Sequence, residues 1–434
     1  MDYFIISATL LVALFVLLGG GVWVAFSLLG VGIIAMEVFG GAPAGPILAT
    51  TSWASSSSWT LTALPLFIWM GEILYRTKLS QDMFHGLSPW VRILPGRLLH
   101  VNVFGCGIFA AVSGSSAATA ATIGRISLPE LKSRGYPDSI AMGSLAGAGT
   151  LGLLIPPSIM MIVYGVAAQV SISRLFIAGL VPGLLLLVIF SGYLMIWSAL
   201  NRDQVPQESE RLSFREKLVR AKLLVPVMLL IIAVIGSIYA GFATATEAAA
   251  VGVVGALLIA LVSRSLSRET FMASLMGAVA TSCMIFFILI GAHYLTAAMS
   301  FTGLPSALAD WIVAKQMSPY LLLVSLTVLF VVLGCFLDGI SIILLTTAVV
   351  MPAIHAAGID LLWFGVFVIL VVEMAQITPP VGFNLFVIQG LTGRDIGEVA
   401  RASLPFFFLI VLAAVLITLF PQIVLTLPQA LVGR

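Results

Sequence analysis

Apolar runs long enough to cross a bilayer follow one another from end to end of this chain, with no long polar segment between them. A membrane-spanning helix needs ~17–25 such residues, and a chain that repeats the pattern throughout has few alternatives to a multi-pass membrane fold. Composition agrees. Of 434 residues 61% are hydrophobic and 9% charged, where a soluble domain carries about 25% charged residues. The formal net charge of +2 implies no nucleic-acid partner, because the basic residues sit in short connecting loops. Cys106, Cys283 and Cys335 are widely spaced inside apolar segments, a pattern that fits small-residue packing rather than a metal site or a disulfide framework. Residues 3–18 lack a basic flank before them and are read as the first span rather than a cleaved leader.

Inside the apolar background one internal repeat stands out. A shift of 223 positions places Pro129 on Pro352, Pro156-Pro157 on Pro379-Pro380, Pro182 on Pro405 and Gly135 on Gly358, with no gap. Internal repeats are a hallmark of transporters. Lys and Arg, which concentrate in cytoplasmic loops, then orient the chain. The stretch after residue 200 holds Arg202, Arg211, Arg215, Lys217, Arg220 and Lys222 and is placed in the cytoplasm. Tracing outward from it, residues 98–131 form a re-entrant hairpin open to the cytoplasm, and 139–172 form a helix broken at Pro156-Pro157. Residues 320–356 form the matching hairpin, open outward, and 361–391 a helix broken at Pro379-Pro380. Of the 20 Lys and Arg, only Arg174, Lys315 and Arg434 then fall outside, although the two halves run in opposite directions.

The expected architecture is therefore an all-α membrane protein of two inverted repeats, residues 1–200 and 223–434, joined by a connector at 201–222. The part at 208–222 alternates charge with Leu212, Phe214, Leu218 and Val219, as an interfacial helix does. The Ser-rich run 50–60, with Trp53 and Trp59, is expected as an outer surface loop.

An unpaired backbone amide or carbonyl in hydrocarbon costs several kcal/mol, so a helix breaks there only where protein or a cavity supplies partners. Four breaks are expected, two per repeat. The first hairpin turns at Ser113-Gly114-Ser115-Ser116, near Thr119, and its partner break runs from Gly149 and Thr150 to Pro157 and Ser158. The second repeat supplies Gly334, Asp338, Gly339 and Ser341 at its turn, with Gln376, Thr378, Pro380, Gly382 and Asn384 at its break. Hydroxyls and freed carbonyls are hard ligands suited to a monovalent cation such as Na⁺, and the amides opening a return helix suit an anionic substrate. Asp338 reads either as a cation ligand or as an N-cap. Glu37, Glu72, Glu247 and Glu373 are expected in interhelical hydrogen bonds or at a subunit interface, and His293 and His355 in structural roles. There is no phosphate-cradling loop ending in Lys-Ser or Lys-Thr and no base beside the Ser-rich turn, so neither ATP use nor nucleophilic catalysis is indicated.

The runs Ser113-Gly114-Ser115-Ser116-Ala117, Leu154-Ile155-Pro156-Pro157-Ser158 and Ile377-Thr378-Pro379-Pro380-Val381-Gly382 resemble those of the large (M) membrane subunit of tripartite ATP-independent periplasmic (TRAP) transporters. The resemblance covers essentially the whole chain. It implies a bacterial inner-membrane importer of organic acids, driven by Na⁺ and moving as an elevator, with a transport domain sliding against a scaffold. The partners it implies are a periplasmic substrate-binding protein and a small (Q) membrane subunit, expected as a separate chain. Both termini are expected in the periplasm. By the same resemblance, substrate is held around Ser115, Ser116, Thr119, Pro157, Ser158, Asp338, Thr378, Pro380 and Asn384. Na⁺ is held around Ser113, Gly114, Ser116, Gly149, Thr150, Gly334, Asp338, Gly339, Gln376 and Thr378. A stand-alone dicarboxylate or citrate-type symporter and a passive channel are the alternatives.

Overall fold

The computed structural model describes residues 3–206, 213–315, 317–334, 337–379 and 382–432. Pro380, Cys335, Arg211, Arg434 and the 208–212 start of the connector lie outside them. The described residues are helical throughout, without a strand. The first half opens with α1 (Tyr3–Gly19), α2 (Val24–Ile34), α3 (Ala44–Ser56), α4 (Ala63–Arg76) and α5 (Leu79–Val91). It continues with α6 (Leu99–Ser113), α7 (Ser116–Ser133), α8 (Asp138–Gly149), α9 (Leu151–Leu154), α10 (Ile159–Ala167) and α11 (Ile172–Leu200). The connector holds α12 (Phe214–Ala221), and α13 (Val225–Tyr239), α14 (Ala245–Val262), α15 (Arg268–Thr302) and α16 (Leu304–Ala314) follow. The second half closes with α17 (Pro319–Gly334), α18 (Gly339–Ala356), α19 (Leu361–Gln376), α20 (Phe383–Thr392), α21 (Ile396–Leu419) and α22 (Gln422–Val432). Among the described residues five helical stretches are long and apolar enough to cross a membrane, and two bent pairs raise that to seven. This is a multi-pass membrane protein.

The spacing of 223 recurs in the elements. Helices α7 and α18 are 18 residues each, begin at Ser116 and Gly339, and carry Pro129 and Pro352 at the same internal position. Both are followed by a glycine in the left-handed region, Gly135 at φ 84° and Gly358 at φ 68°, where a Cβ would be strained. Helices α8 and α19 then begin at Asp138 and Leu361. Residues 98–131 and 320–356 are occupied mainly by α6–α7 and α17–α18, and residues 139–172 and 361–391 mainly by α8–α10 and α19–α20. The first break bends its helix by 44°. Helix α18 bends by 63° between Thr347 and Val349.

Packing falls into two groups. Helix α15 packs on α2, α3 and α4, and α14 on α4 and α13. Helix α8 packs on α6, α7 and α21, α7 on α20, and α19 on α17 and α21. Contacts of α4 with α6 and of α15 with α18 join the groups. Helix α15, at 35 residues, is ~52 Å long and exceeds the ~30 Å hydrocarbon core, so it tilts or projects.

Three expectations change. The run 50–60 is not a loop: α3 continues to Ser56 and a 3-10 turn spans Trp59–Thr62. Two of its hydroxyls turn back onto the helix, Thr50 donating to Pro46 O at 3.0 Å and Ser56 to Ser52 O at 2.6 Å, so polarity did not force an irregular backbone. Trp53 and Trp59 are exposed. The final apolar run, 402–427, is not one helix but is divided at Pro421 into α21 and α22, because the residue before proline leaves the helical region. Helices α5 and α16 were not foreseen. In the connector, α12 begins with a capping box of Ser213 and Glu216 and exposes Phe214, Leu218 and Val219, the apolar side that an interfacial helix would turn to lipid.

Candidate functional site

The first hairpin ends α6 with Gly114 in the left-handed region, φ 62°. Ser115 then caps α7, its hydroxyl accepting from Ala118 N at 3.4 Å. Within the same turn the hydroxyls of Ser113 and Thr119 lie 2.7 Å apart. This tip rests on the broken helix of its own repeat: Ile159 N donates to Gly114 O at 3.3 Å. A Cβ placed on Gly152 would lie 2.5 Å from Ser115 O and 2.7 Å from Ser116 N, so the tip backbone is seated directly on α9. At the break, Ser158 caps α10 by accepting from Met161 N at 3.3 Å and gives its own hydrogen to Leu153 O. Thr150 likewise donates to Gly147 O at 2.6 Å.

The second hairpin follows the same plan with a stronger cap. Asp338 accepts from Ile340 N at 3.1 Å, from Ser341 N at 3.3 Å and from the Ser341 hydroxyl. Of the two readings of Asp338, the N-cap is thus seen. A carboxylate has about four acceptor sites, so capping does not exhaust it. Gly339 is packed against Met160 of α10 and the Gln376 amide, and Gly334 against Ala375. At the break, Thr378 donates to Met374 O at 2.6 Å. Gly382 sits where a Cβ would come within 2.8 Å of Gln376 O and Thr378 O.

Two of the contacts between the halves involve buried polar atoms at the breaks and tips. Asn384, fully buried at the start of α20, lies beside Gly149 of the first break and Ala120 of α7. Among the described residues neither Asn384 Nδ2 nor Oδ1 has a hydrogen-bond partner. Ser116 Oγ donates to Glu373 Oε1 at 2.6 Å, across 257 residues. Glu373 is 1% exposed and its Oε2 is unpaired.

The structure therefore brings Ser113, Gly114, Ser115, Ser116, Thr119, Pro157 and Ser158 together around the first tip. Gly149 and Asn384 lie beside them, and Gly334, Asp338, Gly339, Gln376 and Thr378 cluster around the second tip. Thr150 and Ser158 spend their hydroxyl hydrogens within their own segments. Pro380 lies outside the described residues. Glu373 makes an interhelical hydrogen bond, as expected of it, with its partner at a hairpin tip; the seat that Gly152 provides had not been expected. The other acids are local: Glu72 pairs with Arg76 at 2.8 Å, and Glu247 closes a capping box with Thr244. His293 meets the Ser55 hydroxyl at 2.9 Å. Among the described residues no group of His, Cys, Asp and Glu could hold a metal ion in the usual way.

Comparison with known proteins adds identity to this geometry. The C4-dicarboxylate TRAP transporter large permease protein DctM of Pseudomonas aeruginosa is 33% identical over 383 residues, covering 88% of this chain and 89% of that protein. The ectoine TRAP transporter large permease protein TeaC of Halomonas elongata is 33% identical, over 85% of this chain and 86% of its own. The sialic acid TRAP transporter large permease protein SiaM of Vibrio cholerae is 30% identical, over 87% and 88%. Among solved structures, the Alcanivorax borkumensis YdaH transporter superposes with a TM-score of 0.61 at 13% identity, covering 86% of this chain and 87% of that one. That likeness concerns the fold alone. The family described as "Tripartite ATP-independent periplasmic transporter, DctM component" matches residues 11–423, and the chain belongs to this family of transporter permeases.

Proposed function

We propose that this protein is the large membrane subunit of a Na⁺-coupled importer of a small organic acid, working by an elevator motion. The observation that carries the reading is the meeting of the first hairpin and first break with the broken helix of the other half, where Ser116 donates to Glu373 and Asn384 lies beside Gly149, with Glu373 Oε2 and both Asn384 amide atoms unpaired among the described residues. Buried polar atoms are nearly always paired, and a site that leaves them free inside a membrane is made for something that arrives. The halves are inverted repeats. Their turns lie at mid-membrane, where half-helix N-termini meet an anion and unwound carbonyls meet a cation. The α6–α10 and α17–α20 segments form the transport domain, and α2–α4 with α13–α15 the scaffold.

The carboxylate is held around Ser115, Ser116, Thr119, Pro157, Ser158, Thr378 and Asn384. Na⁺ binds near Ser113, Gly114, Ser116, Gly149, Gly334, Asp338, Gly339 and Gln376. Relatives are named for C4-dicarboxylate, sialic acid and ectoine, and the substrate class here is drawn from that range. The working assembly includes a periplasmic binding protein and a small membrane subunit in the bacterial inner membrane, with both termini of this chain periplasmic. A relative named isethionate TRAP transporter permease protein DctMQ is longer, this chain covering 62% of it.

Proteoliposomes containing this chain, the small subunit and the binding protein should accumulate substrate only under an inward Na⁺ gradient. Uptake indifferent to Na⁺ but following pH would overturn the coupling. Uptake by this chain alone would point to a stand-alone symporter, and flux that stops at equilibration to a passive channel.

A further inference from the structure

We infer that Glu373 is a positioning residue for the cation site, acting through Ser116, and this rests on the Na⁺ reading above. Ser116 is the first residue of α7, 3% exposed, at the tip of the first hairpin. A serine hydroxyl has one hydrogen and two lone pairs, and a cation takes only the lone pairs. Left free, the hydroxyl can rotate its hydrogen toward an arriving ion. Here the hydrogen is committed: it points to Glu373 Oε1 at 2.6 Å, on a helix of the other repeat. The oxygen then keeps its lone pairs for the tip, with its rotor already fixed. Glu373 contributes no ligand of its own in this arrangement. It does for Ser116 what outer partners do for metal-bound histidines, orienting a ligand by taking its proton.

The placement also explains why an acid is kept in α19. Every neighbour of Glu373 on that helix, from Leu370 to Gln376, is buried, and an acid in such surroundings inside a membrane is costly and retained for function. Ser116 is its hydrogen-bond partner among the described residues, and Oε2 is unpaired. A purely structural acid would be expected to satisfy both oxygens.

The test is a Na⁺ titration of initial uptake rate at saturating substrate in the complete reconstituted assembly. Glu373→Ala should raise the half-saturating Na⁺ concentration by about 10-fold or more, the range found when outer partners of metal ligands are removed, with a smaller change in maximal rate. Glu373→Gln, which keeps a carbonyl acceptor for the Ser116 hydrogen, should recover most of that loss. Ser116→Ala, which removes the ligand itself, should shift the Na⁺ curve in the same direction by at least as much, and the double variant should be no worse than the poorer single one. An unshifted Na⁺ curve in Glu373→Ala and Ser116→Ala overturns the inference, as does a Gln variant as impaired as Ala, which would assign the effect to charge. A parent protein with no Na⁺ dependence brings down the coupling itself, a result separable from either.

Discussion

Replacing Asn384 with Leu should abolish uptake and, at the same time, make the protein more stable. The two effects have one cause. Leu and Asn have similar shapes, and Asn384 is fully buried with neither amide atom paired. Leaving a polar group buried without a partner costs ~1–3 kcal/mol, so removing that group should raise stability by an amount of that order. Function should go the other way, because in the proposed site the amide meets the cargo. Stability given up at a site for the sake of activity is a common trade. Thermal unfolding in detergent and uptake in proteoliposomes check the pair of outcomes. A variant that unfolds earlier and still transports would make Asn384 an ordinary structural residue.

Gly152→Val should leave the assembly able to form but lower uptake roughly 10–100-fold, the consequence of ~1–3 kcal/mol of overpacking at the tip. The reason is the seat described above, where the Ser115–Ser116 backbone occupies the space a side chain would need. Backbone cannot rotate out of the way as a flexible side chain can, so the hairpin must lift, taking with it Ser115, Ser116 and the link to Glu373. Initial uptake rates at saturating Na⁺ and substrate measure the effect. Unchanged uptake would mean that the tip does not depend on this seat.

What could be read from the sequence divides along a physical line. Proline acts on its own backbone, so Pro156-Pro157 and Pro379 pointed to interruptions, and α9 ends at Leu154 and α19 at Gln376, just before them. Charge asymmetry in loops is also local. The relation of one segment to another was hidden. Ser116 and Glu373 are 257 residues apart, and nothing in either neighbourhood announces the other. Gly152 looked like one small residue among many, because a close approach shows only once the approaching chain is in place. Polarity misled at α3, where hydroxyls turned back onto helix carbonyls instead of ending the helix. Helix α5 escaped notice because its sequence, with Asp82, His85 and Pro89, is too polar and too short to read as a span.

The account depends most on the opposite orientation of the two halves, and labelling of paired cysteines tests it directly. Ser133 and Ala356 end α7 and α18, are both exposed, and stand 223 positions apart. In a background with Cys106, Cys283 and Cys335 replaced, Ala356→Cys should react with an impermeant maleimide added outside intact cells. Ser133→Cys should react only once the membrane is opened. Reaction of both positions from the same side would contradict it.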